Sequence, residues 1–171
     1  MELDGLKKDL ADSISSKTAL QGKLATVFVG YPFSDKSSLT LNLGKDDGIS
    51  SDDLVVFEKT LLGKISESLA HYSVFKTVFD PDWEFPVYVG QNLARGLFQA
   101  GSEPKVVLLS KKEKIEVGAL IVSADPKLIS SEFVIGQVGR IKSDESSPFF
   151  EVLVEIPYNL NDLRQVTVIK K

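Results

Sequence analysis

About a dozen short apolar runs, each bounded by turn-forming residues, most constrain what this chain can fold into. The runs are rich in Val, Ile and Phe, and many alternate apolar with polar residues, which is the period of a strand with one buried face. Turn formers separate them, for example over residues 45–53 and 143–148. No second long helical pattern follows the first 24 residues. The pattern therefore predicts a mainly β body built as small barrels or a sandwich.

The first 24 residues have a different pattern, because leucines recur at heptad a and d positions. This spacing predicts an amphipathic helix with an apolar seam, which Ser13 and Lys17 interrupt. Two interpretations stay open: the helix pairs with a second copy of the chain, or it packs on the chain's own β body. In the first, the residues expected to mediate homodimerisation are Leu3, Leu6, Leu10, Leu20 and Leu24.

Length and composition narrow the functional classes. The 171 residues fit one medium domain or two small ones, and the net charge of −4 gives no general attraction to nucleic acid. The chain has no cysteine, which excludes disulfides and thiolate catalysis, and the single histidine, His71, argues against a histidine-rich metal site. No apolar run could span a bilayer and no signal peptide is visible. We therefore expect either a cytosolic protein or a piece of a longer chain that lacks its targeting segment.

The acidic, glycine-bearing stretch LNLGKDDGISSDDLVV raises the question of a calcium loop. If Gly48 took the glycine position of such a loop, three positions that need oxygen ligands would hold Leu43, Lys45 and Leu54. The flanking residues also follow a strand pattern rather than a helical one. The stretch is therefore interpreted as a structural turn between strands, and no metal site is predicted.

Catalytic arrangements are equally weak. A Ser–His–acid triad would have to use His71, and no serine lies in a G-x-S-x-G motif. Asp80 and Asp82 flank a proline in a turn, and Trp83 beside them is either a sugar platform or partly buried packing. We predict no enzyme, no catalytic residue and no cofactor. The alternatives are a β-barrel hydrolase that uses His71 and a cytosolic β-barrel binding module.

The order of the short motifs carries a resemblance. A strand leads into Gly44-x-x-x-Gly48-Ile49, which is followed by LLGKI at residues 61–65 and ARGLFQAG at residues 94–101. KIEVGALIVSAD and the closing DLRQVTVI come later in the chain. This series resembles the extracytoplasmic part of the MreC family of rod shape-determining proteins. The family pattern includes a Gly-Asp-x-Val-x-Thr-Ser-Gly segment. Here residues 118–125 read GALIVSAD, so the Asp and the final Gly of that segment are missing.

The resemblance implies a fold and a division of the chain. Proteins of this family have a pairing helix followed by two small β-barrel domains. By analogy, residues 1–24 are the end of a coiled coil. Residues 25–47 together with 108–171 form the first barrel, and residues 48–107 form a second barrel inserted into it. Open barrels would leave strand edges available for β-augmentation by partners.

The resemblance also implies a role. The chain would be a non-enzymatic scaffold of the bacterial cell-elongation machinery that dimerises, forms filaments and controls cell shape. Its partners would be a class B penicillin-binding protein that synthesises peptidoglycan and an MreD-type membrane protein. It would lie outside the cytoplasm, anchored by an upstream transmembrane helix.

The adjacent Phe149 and Phe150 are the candidate partner-binding residues. Neighbouring residues of a strand point to opposite faces, so one of the two is expected to be exposed and to anchor a partner. The alternative is a strand buried on both faces.

Overall fold

The computed structural model of the protein describes residues 22–28, 36–124 and 133–170. These ranges contain strands and two short 3₁₀ turns, Lys45–Asp47 and Leu160–Asp162, and no α-helix. The prediction of a mainly β protein is confirmed. The strands are β1 (Gly22–Phe28), β2 (Ser38–Leu41), β3 (Leu54–Phe57), β4 (Thr60–Ser68), β5 (Ser73–Thr77), β6 (Glu84–Val89), β7 (Ala94–Gln99), β8 (Lys105–Ser110), β9 (Leu120–Ser123), β10 (Val134–Ser143), β11 (Phe149–Glu155) and β12 (Gln165–Ile169).

The sequence predicts a helix through Leu24, but the last three residues of that helix, Gly22 to Leu24, form a strand. They belong to β1, where Gly22 pairs with Ile169 and Leu24 pairs with Thr167 of β12. The heptad spacing misled because Leu24 also fits the alternation of this strand: it is 64% exposed, while the next residue, Ala25, is buried. Residues 1–21, with the rest of the predicted helix, lie outside the described ranges.

Six strands form a closed barrel. They pair in the order β4-β3-β12-β1-β2-β5, and β5 returns to β4. Alternate side chains point inward and form one buried cluster, because successive residues of a strand face opposite sides. Its fully buried members include Leu41, Val55, Leu62, Ile65 and Phe75.

The other six strands pair in a second ring. Their order is β11-β8-β7-β6-β9-β10, and β10 also pairs with β11. The ring surrounds its own cluster, in which the Phe85 ring lies 4.8 Å from Trp83 and 4.9 Å from Phe98, measured between centroids. Each strand in the described ranges therefore has a partner on both sides. The open barrels expected from the sequence are replaced by rings with no free whole-strand edge.

The pairings divide the chain differently from the expected barrel boundaries. Residues 48–77 supply β3, β4 and β5 to the first barrel, and residues 108–155 supply strands to the second ring. Within the described ranges, the first barrel thus draws on residues 22–28, 36–77 and 156–170, and the second ring draws on residues 78–124 and 133–155. The short motifs mark turns, but a strand with period 2 does not reveal which neighbour it will pair with.

The two rings share one wall. In β3, Val55 points into the first barrel, whereas Leu54 and Val56 belong to the buried cluster of the second ring. A parallel bridge between Val134 and Thr60 joins β10 to β4, and the backbone N–H of Val134 donates to the Lys59 carbonyl at 2.8 Å. Both faces of β3 are therefore buried, which fixes the second ring against the first.

Candidate functional site

His71 lies on the surface. Its Nδ1 is 3.1 Å from Asp46 Oδ2, and the two side chains are 84% and 61% exposed. A solvated pair of this kind lacks the buried, oriented base that activates a nucleophile. The geometry gives no support to the hydrolase alternative.

The residues around Trp83 are structural. Trp83 is only 8% exposed and packs in the cluster of the second ring, so its face is not available as a sugar platform. Asp80 accepts a hydrogen bond from the backbone N–H of Asp82 at 2.8 Å, and its other oxygen lies 3.7 Å from Lys76 Nζ. These contacts hold the turn that leads from the first barrel into the second ring.

Two carboxylates of the acidic loop at residues 45–53 hold the loop's own backbone. Asp47 accepts from the N–H of Gly44 at 3.0 Å, and Asp53 accepts from the N–H of Ser50 at 2.9 Å. No group of three or more His, Cys, Asp or Glu side chains within the described ranges could hold a metal ion.

Phe149 and Phe150 begin β11 and point to opposite faces. Phe150 packs against the cluster of the second ring, whereas Phe149 is 41% exposed on the outer face, opposite Ser110 of β8. The backbone N–H of Phe149 donates to Ser147 Oγ at 3.2 Å. The strand therefore presents an aromatic ring at the surface from an ordered backbone position.

The connections on either side of Phe149 gather at one end of the second ring. Neighbouring strands of the ring are antiparallel, so the β6–β7 turn, the β8–β9 loop and the β10–β11 turn all lie at the same end. Both connections to the first barrel leave from the opposite end. We call residues 90–96, 108–120 and 140–149 the distal end.

The distal end concentrates exposed apolar side chains. Five of the nine large hydrophobic residues that are exposed in the described ranges lie there. They are Leu93, Leu108, Val117, Leu120 and Phe149. The sequence interpretation found only the last of these. The run KVVLLS offered a signal for Leu108, because four consecutive apolar residues exceed what one buried face of a strand can use.

A groove of about 1020 Å³ runs from the distal end along β9 to the β3–β4 turn. Leu93, Val117 and Leu120 line it together with the lysines Lys59 and Lys114. Lys114 Nζ lies 3.7 Å from a Glu116 carboxylate oxygen, and both groups are well exposed. Glu116 also lines the groove, so its apolar rim is accompanied by two lysines and one glutamate.

The charge of the distal end differs from that of the whole chain. It carries six basic side chains and four acidic ones, whereas the chain has a net charge of −4. One of its acidic groups, Asp144, accepts from the backbone N–H of Ser146 at 3.0 Å, and this hydrogen bond lowers the pKa of the Asp144 carboxyl. Such a surface can attract an apolar segment that carries negative charge.

The family model described as rod shape-determining protein MreC, barrel core, matches residues 31–170. The chain belongs to the MreC family. A comparison with curated proteins finds no match. In the described part of the chain, no helix is both long and apolar enough to cross a membrane.

Solved MreC structures share this fold. MreC of Listeria monocytogenes has a TM-score of 0.77 at 18% identity, with 99% of this chain and 90% of that chain covered. The major periplasmic domain from the cell shape-determining filament MreC has a TM-score of 0.71 at 16% identity, with 88% of this chain and 95% of that chain covered. MreC from Helicobacter pylori was solved in a complex with the penicillin-binding protein PBP2. It has a TM-score of 0.63 at 13% identity, with 88% of this chain and 100% of that chain covered.

Proposed function

We propose that this chain is a non-enzymatic scaffold of rod-shape determination that binds a class B penicillin-binding protein through the distal end, with Phe149 as an anchor. The observation that carries the proposal is the concentration of exposed apolar side chains at the end that is free of connections to the first barrel. Family membership and the complex of Helicobacter pylori MreC with PBP2 support the choice of partner.

Phe149 suits an anchor because its position is already ordered. Aromatic residues dominate many interfaces, and a residue held by strand pairing loses little conformational freedom on binding. Phe150 on the inner face and the pairing of Phe149 with Ser110 supply that order. Burying the exposed part of the ring then adds favourable apolar contact.

The test compares Phe149→Ala with Phe28→Ala. Phe28 is exposed to a similar extent but lies on β1 of the first barrel, so it is a matched control. Titration calorimetry with the purified extracytoplasmic part of the class B penicillin-binding protein from the same organism measures the affinity. We expect Phe149→Ala to weaken binding by about tenfold or more, and Phe28→Ala by less than about twofold.

Two results would count against the proposal. If the wild-type chain binds no penicillin-binding protein, the partner is wrong. If Phe149→Ala binds as tightly as the wild type, while circular dichroism shows both to be folded, the anchor is wrong.

The chain would work outside the cytoplasm, in line with the periplasmic domain named among the similar structures, and an upstream segment would anchor it beside an MreD-type membrane protein. The two rings would be two barrel domains, with residues 78–155 inserted into the first. Residues Leu3, Leu6, Leu10 and Leu20 would pair two copies and allow filaments to grow.

A further inference from the structure

Four non-glycine residues in the described ranges have a positive φ angle. Asp52 and Glu58 are polar residues in turns, with φ of 71° and 54°. The other two are leucines at the distal end: Leu93 with φ of 52° and Leu108 with φ of 62°. A left-handed backbone is unfavourable for leucine, and positions that require it are usually occupied by Gly, Asn or Asp.

The local structure explains why the backbone takes this conformation. Leu93 ends the four-residue connection between Val89 and Ala94, in which Gly90 also has a positive φ of 72°. Leu108 lies where the register of β8 and β11 shifts, a bulge that commonly contains a residue in this conformation. Either position would suit Asn or Gly better than Leu.

Neither leucine is a core residue that would need this backbone in order to pack. Leu93 is 56% exposed and Leu108 is 53% exposed, so each buries only part of its side chain. Leu109, the next residue of β8, is fully buried and supplies the packing contacts of that strand. Each leucine therefore has an unfavourable backbone conformation while about half of its side chain stays exposed to solvent. Strain that the fold does not require is a reason to look for a role in binding.

We propose that Leu93 and Leu108 are displayed as docking residues that take an apolar segment with net negative charge from the penicillin-binding protein. This inference rests on the proposed function and adds the residues that set the affinity and the chemistry of the segment. Leu108 lies on β8 beside β11, which begins with Phe149, and Leu93 lines the groove. Basic side chains outnumber acidic ones at the distal end, which favours a partner segment with acidic residues beside its apolar ones.

The experiment uses Leu93→Asn and Leu108→Asn, with Leu24→Asn as a control. Leu24 is at least as exposed, but it lies in β1 with an ordinary backbone. Asn accepts a positive φ and is unfavourable in a strand. We expect the midpoint of thermal unfolding to stay equal or rise in the first two variants and to fall in Leu24→Asn.

Affinity for the extracytoplasmic part of the penicillin-binding protein is measured on the same samples. We expect Leu93→Asn and Leu108→Asn to weaken binding by about tenfold each, and Leu24→Asn to leave it unchanged. Wild-type binding should also weaken as salt is added. The combination of retained stability and lost affinity is what a merely structural role would not produce.

Different results would contradict the proposed function and the docking role of the two leucines. If the wild-type chain does not bind, the proposed function fails. If it binds and both Asn variants bind equally well, the docking role of the leucines fails while the proposed function stands. If the unfolding midpoint of the Asn variants falls, the leucines are not strained. If binding does not depend on salt, the partner segment does not carry the proposed negative charge. A change in self-association instead of partner affinity assigns the surface to a second copy of the chain and overturns the inference.

Discussion

At the scale of single residues, two glycines of the motif series are fixed by close backbone contacts. A Cβ on Gly44 would lie 2.1 Å from the Leu69 carbonyl oxygen, and a Cβ on Gly63 would lie 1.9 Å from the Lys76 carbonyl oxygen. Gly63 lies inside β4, where the sequence gives no turn signal, so its role follows from the approach of β5 rather than from a special φ angle. These glycines let neighbouring segments approach more closely than any side chain would allow.

Gly63→Ala should destabilise the protein severely. The added methyl group meets backbone that belongs to a paired strand and cannot rotate away, so we expect a loss of about 3 kcal/mol or more in the free energy of unfolding. Urea titration followed by the fluorescence of the buried Trp83 measures it. Gly139→Ala is the control, because a Cβ there meets its neighbours at 3.4 Å or more and the change should stay within about 0.5 kcal/mol. Equal effects of the two substitutions would contradict the steric explanation.

At the scale of strands, the sequence predicted the elements better than their partners. Alternation located the short strands, but for the neighbouring Phe149 and Phe150 it left open whether one side chain points outward or the strand is buried on both faces. In β3, however, Leu54, Val55 and Val56 are all buried, because one face serves the first barrel and the other serves the second ring. An uninterrupted apolar run says that both faces are covered, but not by what.

The positive φ angles of Leu93 and Leu108 could not be predicted from the sequence either. Nothing in the residue type announces it, because leucine is among the residues least suited to that conformation. The exposed apolar residues of the distal end come together only through the antiparallel order of the ring, which depends on pairings distant in the sequence. The part of the candidate site that was predicted, Phe149, was the part that rests on local strand geometry.

The shared wall of β3 and β4 predicts that the two rings unfold together. Leu61 and Ile65 are both fully buried in β4, but Leu61 belongs to the cluster of the second ring and Ile65 to that of the first. We expect Leu61→Ala and Ile65→Ala each to lower the free energy of unfolding by about 2 to 5 kcal/mol in one transition.

Hydrogen exchange detected by mass spectrometry tests this coupling, since it reports each ring separately. Both variants should lose amide protection in β1 and β12 of the first barrel and in β7 and β8 of the second ring alike. Loss confined to the second ring in Leu61→Ala, or to the first barrel in Ile65→Ala, would show that the rings unfold independently.

At the scale of the whole molecule, the chain separates its connections from its candidate binding surface. β1 opens the described structure on the first barrel, where Gly22 pairs with Ile169 near the other end of the described chain. The distal end lies on the second ring, on the side away from both connections between the rings. A pairing segment ahead of β1 would therefore attach to the first barrel and leave the distal end free for a partner.

The strand assignment of Leu24 sharpens the prediction for self-association. A helix of about 20 residues is only marginally stable alone in water, so a leucine seam gains stability when two copies bury it against each other. We expect Leu6→Asp with Leu10→Asp to convert a dimer into a monomer of 18.7 kDa in analytical ultracentrifugation. Leu24→Asp is the control: its side chain is exposed on β1, so the mass should not change. If the wild-type chain is already monomeric at high concentration, the leucine seam does not mediate dimerisation. If the Leu24→Asp variant is monomeric, the contact between copies lies on β1 instead.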